Sequence, residues 1–183
     1  DGIASNFAPG RGGLERDPAQ IFTHAFPGVD AKLLQNTATL RVDARQDGDK
    51  IHVEMGVTNS EAGHHIPTDH PMRNMVLLIK ATDARGRELA LVDGPTVPEW
   101  GGRGPSPDDY AGRPGKGYAK VLENLWTEDS PSVSYWRQTV ILEDTRIPAL
   151  ATDISAYAFA APMEAGPVKV TASLVFRRAF KQL

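Results

Sequence analysis

Along this chain hydrophobic positions alternate with polar ones more often than they recur every three or four residues, and a period of two marks a strand with one buried face. Ile51, Val53, Met55 and Val57 alternate with His52, Glu54 and Gly56, so residues 50–59 predict a strand with His52 facing outward. The run Ala38 to Arg45 precedes it across Gln46-Asp47-Gly48-Asp49, and turn-forming residues between two such runs predict a hairpin. Asn74 to Thr82 is nearly all apolar, which predicts a short strand covered on both faces. Three further strands are predicted at Ser134–Leu142, Asp153–Ala161 and Val168–Arg178, the last with Val168, Val170, Ala172, Leu174 and Phe176 in strict alternation. Val121, Leu122 and Leu125 are spaced to form an apolar helix face, so Tyr118 to Trp126 predicts a short helix.

Short strands at this spacing predict a mainly β fold, an antiparallel β-sandwich that is immunoglobulin-like in broad architecture. The 17 Gly and 14 Pro agree, since they supply turns and interrupt long helices. Residues 1–20 contain Pro9-Gly10-Arg11-Gly12-Gly13 and no periodicity, and read as an extended amino-terminal arm. Residues 21–183 are long enough to bury one continuous core, and read as a single domain. The chain opens on Asp1, which reads as a processed form or a piece of something longer. Residues 93–117 form the longest irregular stretch, and loops of that length in compact domains are commonly functional or partner-facing.

Charge narrows the field. Twenty Lys and Arg face 23 Asp and Glu, a net charge of -3 without basic blocks, so a nucleic-acid partner is not expected. No apolar run reaches the roughly 18 residues of a membrane-spanning helix, so no transmembrane segment is expected. The absence of Cys excludes disulfides, thiol catalysis, zinc-thiolate sites and C-x-x-C-H attachment of a c-type haem by this chain.

His64, His65 and His70 fall within seven residues, close to Met72 and Met75. Imidazole suits Zn, Cu, Fe and Ni, and thioether sulfur favours copper, so His64, His65, His70 and Met72 form the candidate metal set of a copper-binding alternative. Against it, adjacent side chains of an extended segment point to opposite sides, and Pro67 biases Ile66 toward extended backbone, favouring a stiff loop over a chelating curl. Asp69 beside His70 invites a hydrolase reading, but there is no G-x-S-x-G elbow, and no catalytic residue is assigned. Glu99, Glu123, Glu128 and Asp129 are expected to be solvated surface acids. Among the aromatics clustered mid-chain, Trp136 is expected in the core and Trp100 exposed. Trp100 and Tyr110 are thereby the binding-loop candidates of a carbohydrate- or protein-binding alternative.

The segment Asn59-Ser60-Glu61-Ala62-Gly63-His64-His65-Ile66-Pro67-Thr68, followed by Pro71 and Arg73 and then a strand, resembles the N-x-x-A-G-H-x-x-P-T-G-x-P-x-R signature of a β-rich carboxy-terminal domain attached to multihaem c-type cytochromes. Thr23-His24-Ala25-Phe26-Pro27-Gly28 resembles the H-x-F-x-G stretch that follows the last haem-binding motif in such proteins. Asp144-Thr145-Arg146-Ile147-Pro148 and the closing Phe176-Arg177 resemble later landmarks, so the likeness runs over roughly residues 21 to 178. Asp69 departs from it, standing where the family usually has Gly. The resemblance implies a non-catalytic accessory or assembly module of a multihaem electron-transfer system, in the periplasm or at the cell surface. It implies as partner a multihaem c-type cytochrome segment or subunit that carries the haem, and it makes His24 the candidate axial ligand to that partner's haem.

Overall fold

In the computed structural model, which describes residues 9–17, 19 and 30–181, the predicted hairpin forms from β1 (Ala38–Asp47) and β2 (Lys50–Asn59). Its antiparallel register runs from Ala38 opposite Asn59 to Asp47 opposite Lys50, which leaves Gly48 and Asp49 as the turn. Gly48 has φ 59°, the left-handed conformation that a two-residue hairpin turn requires. Six more strands follow: β3 (Asn74–Thr82), β4 (Leu91–Asp93), β5 (Gly115–Asn124), β6 (Thr139–Asp144), β7 (Thr152–Ala160) and β8 (Lys169–Arg177). They form two four-stranded antiparallel sheets, ordered β1-β2-β7-β4 and β6-β5-β3-β8, so the mainly β sandwich is observed. The chain divides into two compact units, Asp1–Leu34 and Gln35–Leu183. The first contains a 3-10 turn at Pro9–Arg11 and the one-turn helix α1 (Ala31–Leu34), and the second contains both sheets.

The alternating residues do what their spacing requires. Ile51, Val53, Met55 and Val57 of β2 pack with Tyr157 and Phe159 of β7 against Met75, Leu77 and Ile79 of β3, forming the core between the sheets. Inside that core Tyr118 reaches across and donates its hydroxyl hydrogen to Asp153 Oδ2 at 2.9 Å. Burial, and then the Asp153 charge, push the Tyr118 phenol above its ordinary pKa, so it remains a neutral donor.

β3 is buried on both faces, as its unbroken apolar run predicts, because a second cluster covers the outer side. There Val76, Ala119 and Val121 meet Val97, Trp100 and Phe180, contributed by the 93–114 segment and the carboxy-terminal residues. Three expectations are corrected. Tyr118 to Trp126 is not a helix: residues to Asn124 belong to β5, paired with β3 on one side and β6 on the other. A strand buried on both faces carries a dense apolar run, and Val121, Leu122 and Leu125 mimic a helix face for that reason alone. Trp100 is 7% exposed, not an exposed loop aromatic, because Gly117 leaves room for its indole over β5. Trp136 is 68% exposed, not core, because β6 begins only at Thr139 and the residues before it belong to the β5–β6 connection.

Candidate functional site

The stretch of β2 that buries Ile51, Val53, Met55 and Val57 ends at Asn59, which continues the same inward series and is wholly buried. An amide placed there must find hydrogen-bond partners or destabilise the fold by about 1–3 kcal/mol. Asn59 uses both ends of its side chain. Nδ2 donates to the carbonyls of His64 at 2.7 Å and Ile147 at 3.1 Å, and Oδ1 accepts from the Ala62 amide at 3.2 Å. One side chain thus closes the Gly63–Thr68 loop on itself and ties it to a segment 88 residues later in the chain.

A second tie repeats that join. The Ile66 amide donates to the Ile147 carbonyl, and the Ile147 amide to the Ile66 carbonyl, each at 2.9 Å. Both isoleucines sit in the inter-sheet core, and the Ile66–Pro67 peptide is cis. The stiff loop expected from Pro67 is accordingly held from below by apolar burial and laterally by backbone pairing.

A charged array supplies the third tie. Asp69 Oδ1 accepts from Lys120 Nζ at 2.6 Å and from Arg146 Nη1 at 2.7 Å, and Arg146 also grips Asp144 through Nε at 2.8 Å and Nη2 at 2.7 Å. The hydrogen bond from Lys120, and next that from Arg146, hold the Asp69 carboxyl below the usual carboxylate range. The hydrogen bond from Arg146 does the same for Asp144, and in return Asp144 is the first cause of a raised Arg146 pKa. The residue that departs from the resembled signature is therefore in use, as the anchor between the loop and the 144–148 segment.

On this base the histidines are exposed. His64 Nδ1 lies 2.7 Å from the His65 carbonyl. A carbonyl only accepts, so Nδ1 carries a proton, and Nε2 has no hydrogen-bond partner among the described residues. His70 Nδ1 instead accepts from the Met72 amide at 3.2 Å, closing a local turn. Among the described residues no three His, Cys, Asp or Glu side chains converge in a metal-binding group, so His64, His65 and His70 share a loop without forming one. Met72 is half-buried beside them. His24 and the motif around it lie outside the described residues.

Trp100 packs edge-on against Phe180 at 5.3 Å between ring centroids, and its Nε1 has no hydrogen-bond partner among the described residues. Tyr110 is half-buried, with the Arg177 guanidinium 4.7 Å and that of Arg113 5.4 Å from its ring centroid. Arg177 also donates to the carbonyls of Gly101 and Asp108, so these aromatics hold the 93–114 segment on the sheet. Histidine spacing drew attention to the loop but missed Asn59, Ile147, Lys120 and Arg146. A signal for Asn59 was present, an amide at the next inward position after Ile51, Val53, Met55 and Val57.

No protein-family model matches this chain, and no curated protein matches it. Among solved structures it is similar to a penta-heme cytochrome c552 from Thermochromatium tepidum, at 20% sequence identity and a TM-score of 0.48, over 82% of this chain and 34% of that one. The chain thus spans about a third of the length of that structure. No helix among the described residues is long and apolar enough to cross a membrane.

Proposed function

We propose that this chain is a non-catalytic module of a multihaem electron-transfer assembly, and that the Gly63–Thr68 loop is its haem-facing element. One observation carries the reading. The two segments that resemble the cytochrome-associated domain, 59–68 and 144–148, meet through Asn59 and the Ile66–Ile147 pair, and together they hold up the exposed imidazole of His64, whose Nε2 has no hydrogen-bond partner among the described residues.

The donor chemistry fits haem iron, which takes an imidazole nitrogen as axial ligand. A ring whose Nδ1–H is donated to a carbonyl is fixed in orientation, the pattern seen behind metal-ligating histidines. His64 would hold the iron through Nε2, and the haem would supply one-electron redox chemistry. This chain has no Cys, so the thioether attachment belongs to a partner or to a segment outside it. His24 is the second candidate for the same role. A periplasmic or cell-surface site of action follows from the same reading.

A haem-c peptide with one axial position open is the probe. Added to the purified chain, it is expected to shift to the low-spin spectrum of two nitrogen ligands, with an affinity that His64→Ala weakens at least about tenfold and His70→Ala leaves within about twofold. Asn59→Ala is expected to weaken it as well, by about tenfold, because the loop then loses its clamp. An unchanged spectrum, or a shift indifferent to His64→Ala, removes His64 from the role.

A further inference from the structure

Among the described residues β6 is an edge strand without cover. In the sheet order β6-β5-β3-β8 it has one neighbour, β5, and Val140, Ile141 and Leu142 are 42, 62 and 56% exposed. By register Ile141 stands opposite Leu122 and Val140 opposite Glu123, so apolar side chains emerge on both faces of the strand. The adjoining β5–β6 connection adds Trp126 at 80%, Tyr135 at 92% and Trp136 at 68% exposure, the last two stacked edge-on at 4.9 Å. Long exposed apolar edges invite association and are ordinarily blunted by charge, Pro or a covering segment.

The charges here are placed around the patch and are almost all of one sign. Residues 121–144 carry five carboxylates, Glu123, Glu128, Asp129, Glu143 and Asp144, against one cation, Arg137. Arg146 neutralises Asp144, but Glu123, Glu128, Asp129 and Glu143 have no ion-pair partner among the described residues. Glu123 stands opposite Val140, and Glu143 opposite Val121, so two of these acids flank the apolar strand directly.

We infer that this acid-rimmed surface docks a protein whose contact face is apolar at its centre and ringed with lysine, the complement in both hydrophobicity and charge. Charge selects among the occupants an open apolar edge permits. A second copy of this chain would bring two acidic rims together, and an anionic membrane would repel the same carboxylates. The exposed haem edge of a basic c-type cytochrome has the required character, an identification that rests on the function proposed above; the patch and its rim stand without it. The surface also adjoins the histidine loop through β5, since Lys120 pairs with Asp144 in the sheet and with Asp69 in the loop. Trp136 and Trp126 fit the part of central anchors, and the acids that of a rim that speeds encounter.

The test uses a basic monohaem c-type cytochrome with both axial positions filled, so that His64 cannot take its iron. Calorimetric titration at about 20 mM salt is expected to show binding that weakens about tenfold or more at about 200 mM, as screening of a charged rim requires. Trp136→Ala and Ile141→Ser are each expected to weaken it about tenfold, Glu123→Lys with Glu143→Lys to abolish it, and His64→Ala to leave it unchanged. Circular dichroism and thermal melting of each variant show whether the fold is retained. No binding at low salt, binding indifferent to the β6 variants, self-association through β6 in sedimentation, or capture by anionic vesicles would each overturn the inference. Loss of the His64 spectral shift alone would overturn the haem-facing loop and leave this surface standing.

Discussion

Two tryptophan-bearing segments flank β5 in the chain, and they treat their indoles in opposite ways. The 93–114 segment folds its Trp100 down over β3 and β5, while the β5–β6 connection leaves Trp126 and Trp136 in solvent. The indoles are chemically the same, so the difference lies beneath them. Under Trp100 the strand offers Gly117, where an added Cβ would collide with the indole ring, and Phe180 closes the far side. The carboxy-terminal residues are tied back by Lys181 to Asp108 at 2.6 Å. Beside Trp136, β6 ends the sheet, and no further strand among the described residues supplies a floor. A large aromatic is buried where a neighbouring backbone leaves a space of its shape; otherwise it stays available to a partner.

The sharpest way to break this contrast is Trp100→Ala, which is expected to cost about 3–5 kcal/mol in urea unfolding, as truncation of a buried indole does. A loss below about 1 kcal/mol would mean that the segment is a loose flap and the contrast empty. Gly117→Ala attacks the floor instead, and overpacking against the indole is expected to cost about 1–3 kcal/mol by the same measurement. An acid titration followed by NMR separates the segments next. The hydrogen bond from Lys181, and then that from Ser106, lower Asp108 from 3.8 to about 2. A carboxyl depressed in the folded state stabilises it fully above about 3.8, and that stabilisation is lost as pH falls through about 2. The Trp100 indole N–H resonance is expected to move over that window while the Trp136 resonance stays constant; parallel movement of both would indicate global unfolding. The smallest effect belongs to Trp136→Ala, expected to leave stability within about 0.5 kcal/mol because little surface there is buried. A larger loss would place that side chain against the body of the protein.

Much of the candidate site was legible, though for an incomplete reason. Histidine density and the resemblance both pointed to the Gly63–Thr68 loop, and Pro67 argued for stiffness. What could not be read was that Ile147, Lys120 and Arg146 converge on it, because the join depends on β5 running beside β6 and delivering the 144–148 segment to the end of β2. Asp69 illustrates the point. In sequence it is a departure from a signature; in the fold it is where Lys120 and Arg146 meet.

The alternation of small sets of residues, such as Ile51 to Val57, by itself determined the hairpin, the two-sheet class and the inward position of Asn59, because side-chain direction in a strand follows from local geometry with a period of two. Tertiary structure alone decided that Tyr118–Asn124 is a strand, that Trp100 is covered and Trp136 is not, and that His64 stands over a clamp built from two separate segments of the chain's resemblance. Those outcomes depend on which strand lies at an edge and which loop finds a glycine-lined space. Both are properties of non-local pairing, on which the local pattern of hydrophobic and polar residues is silent.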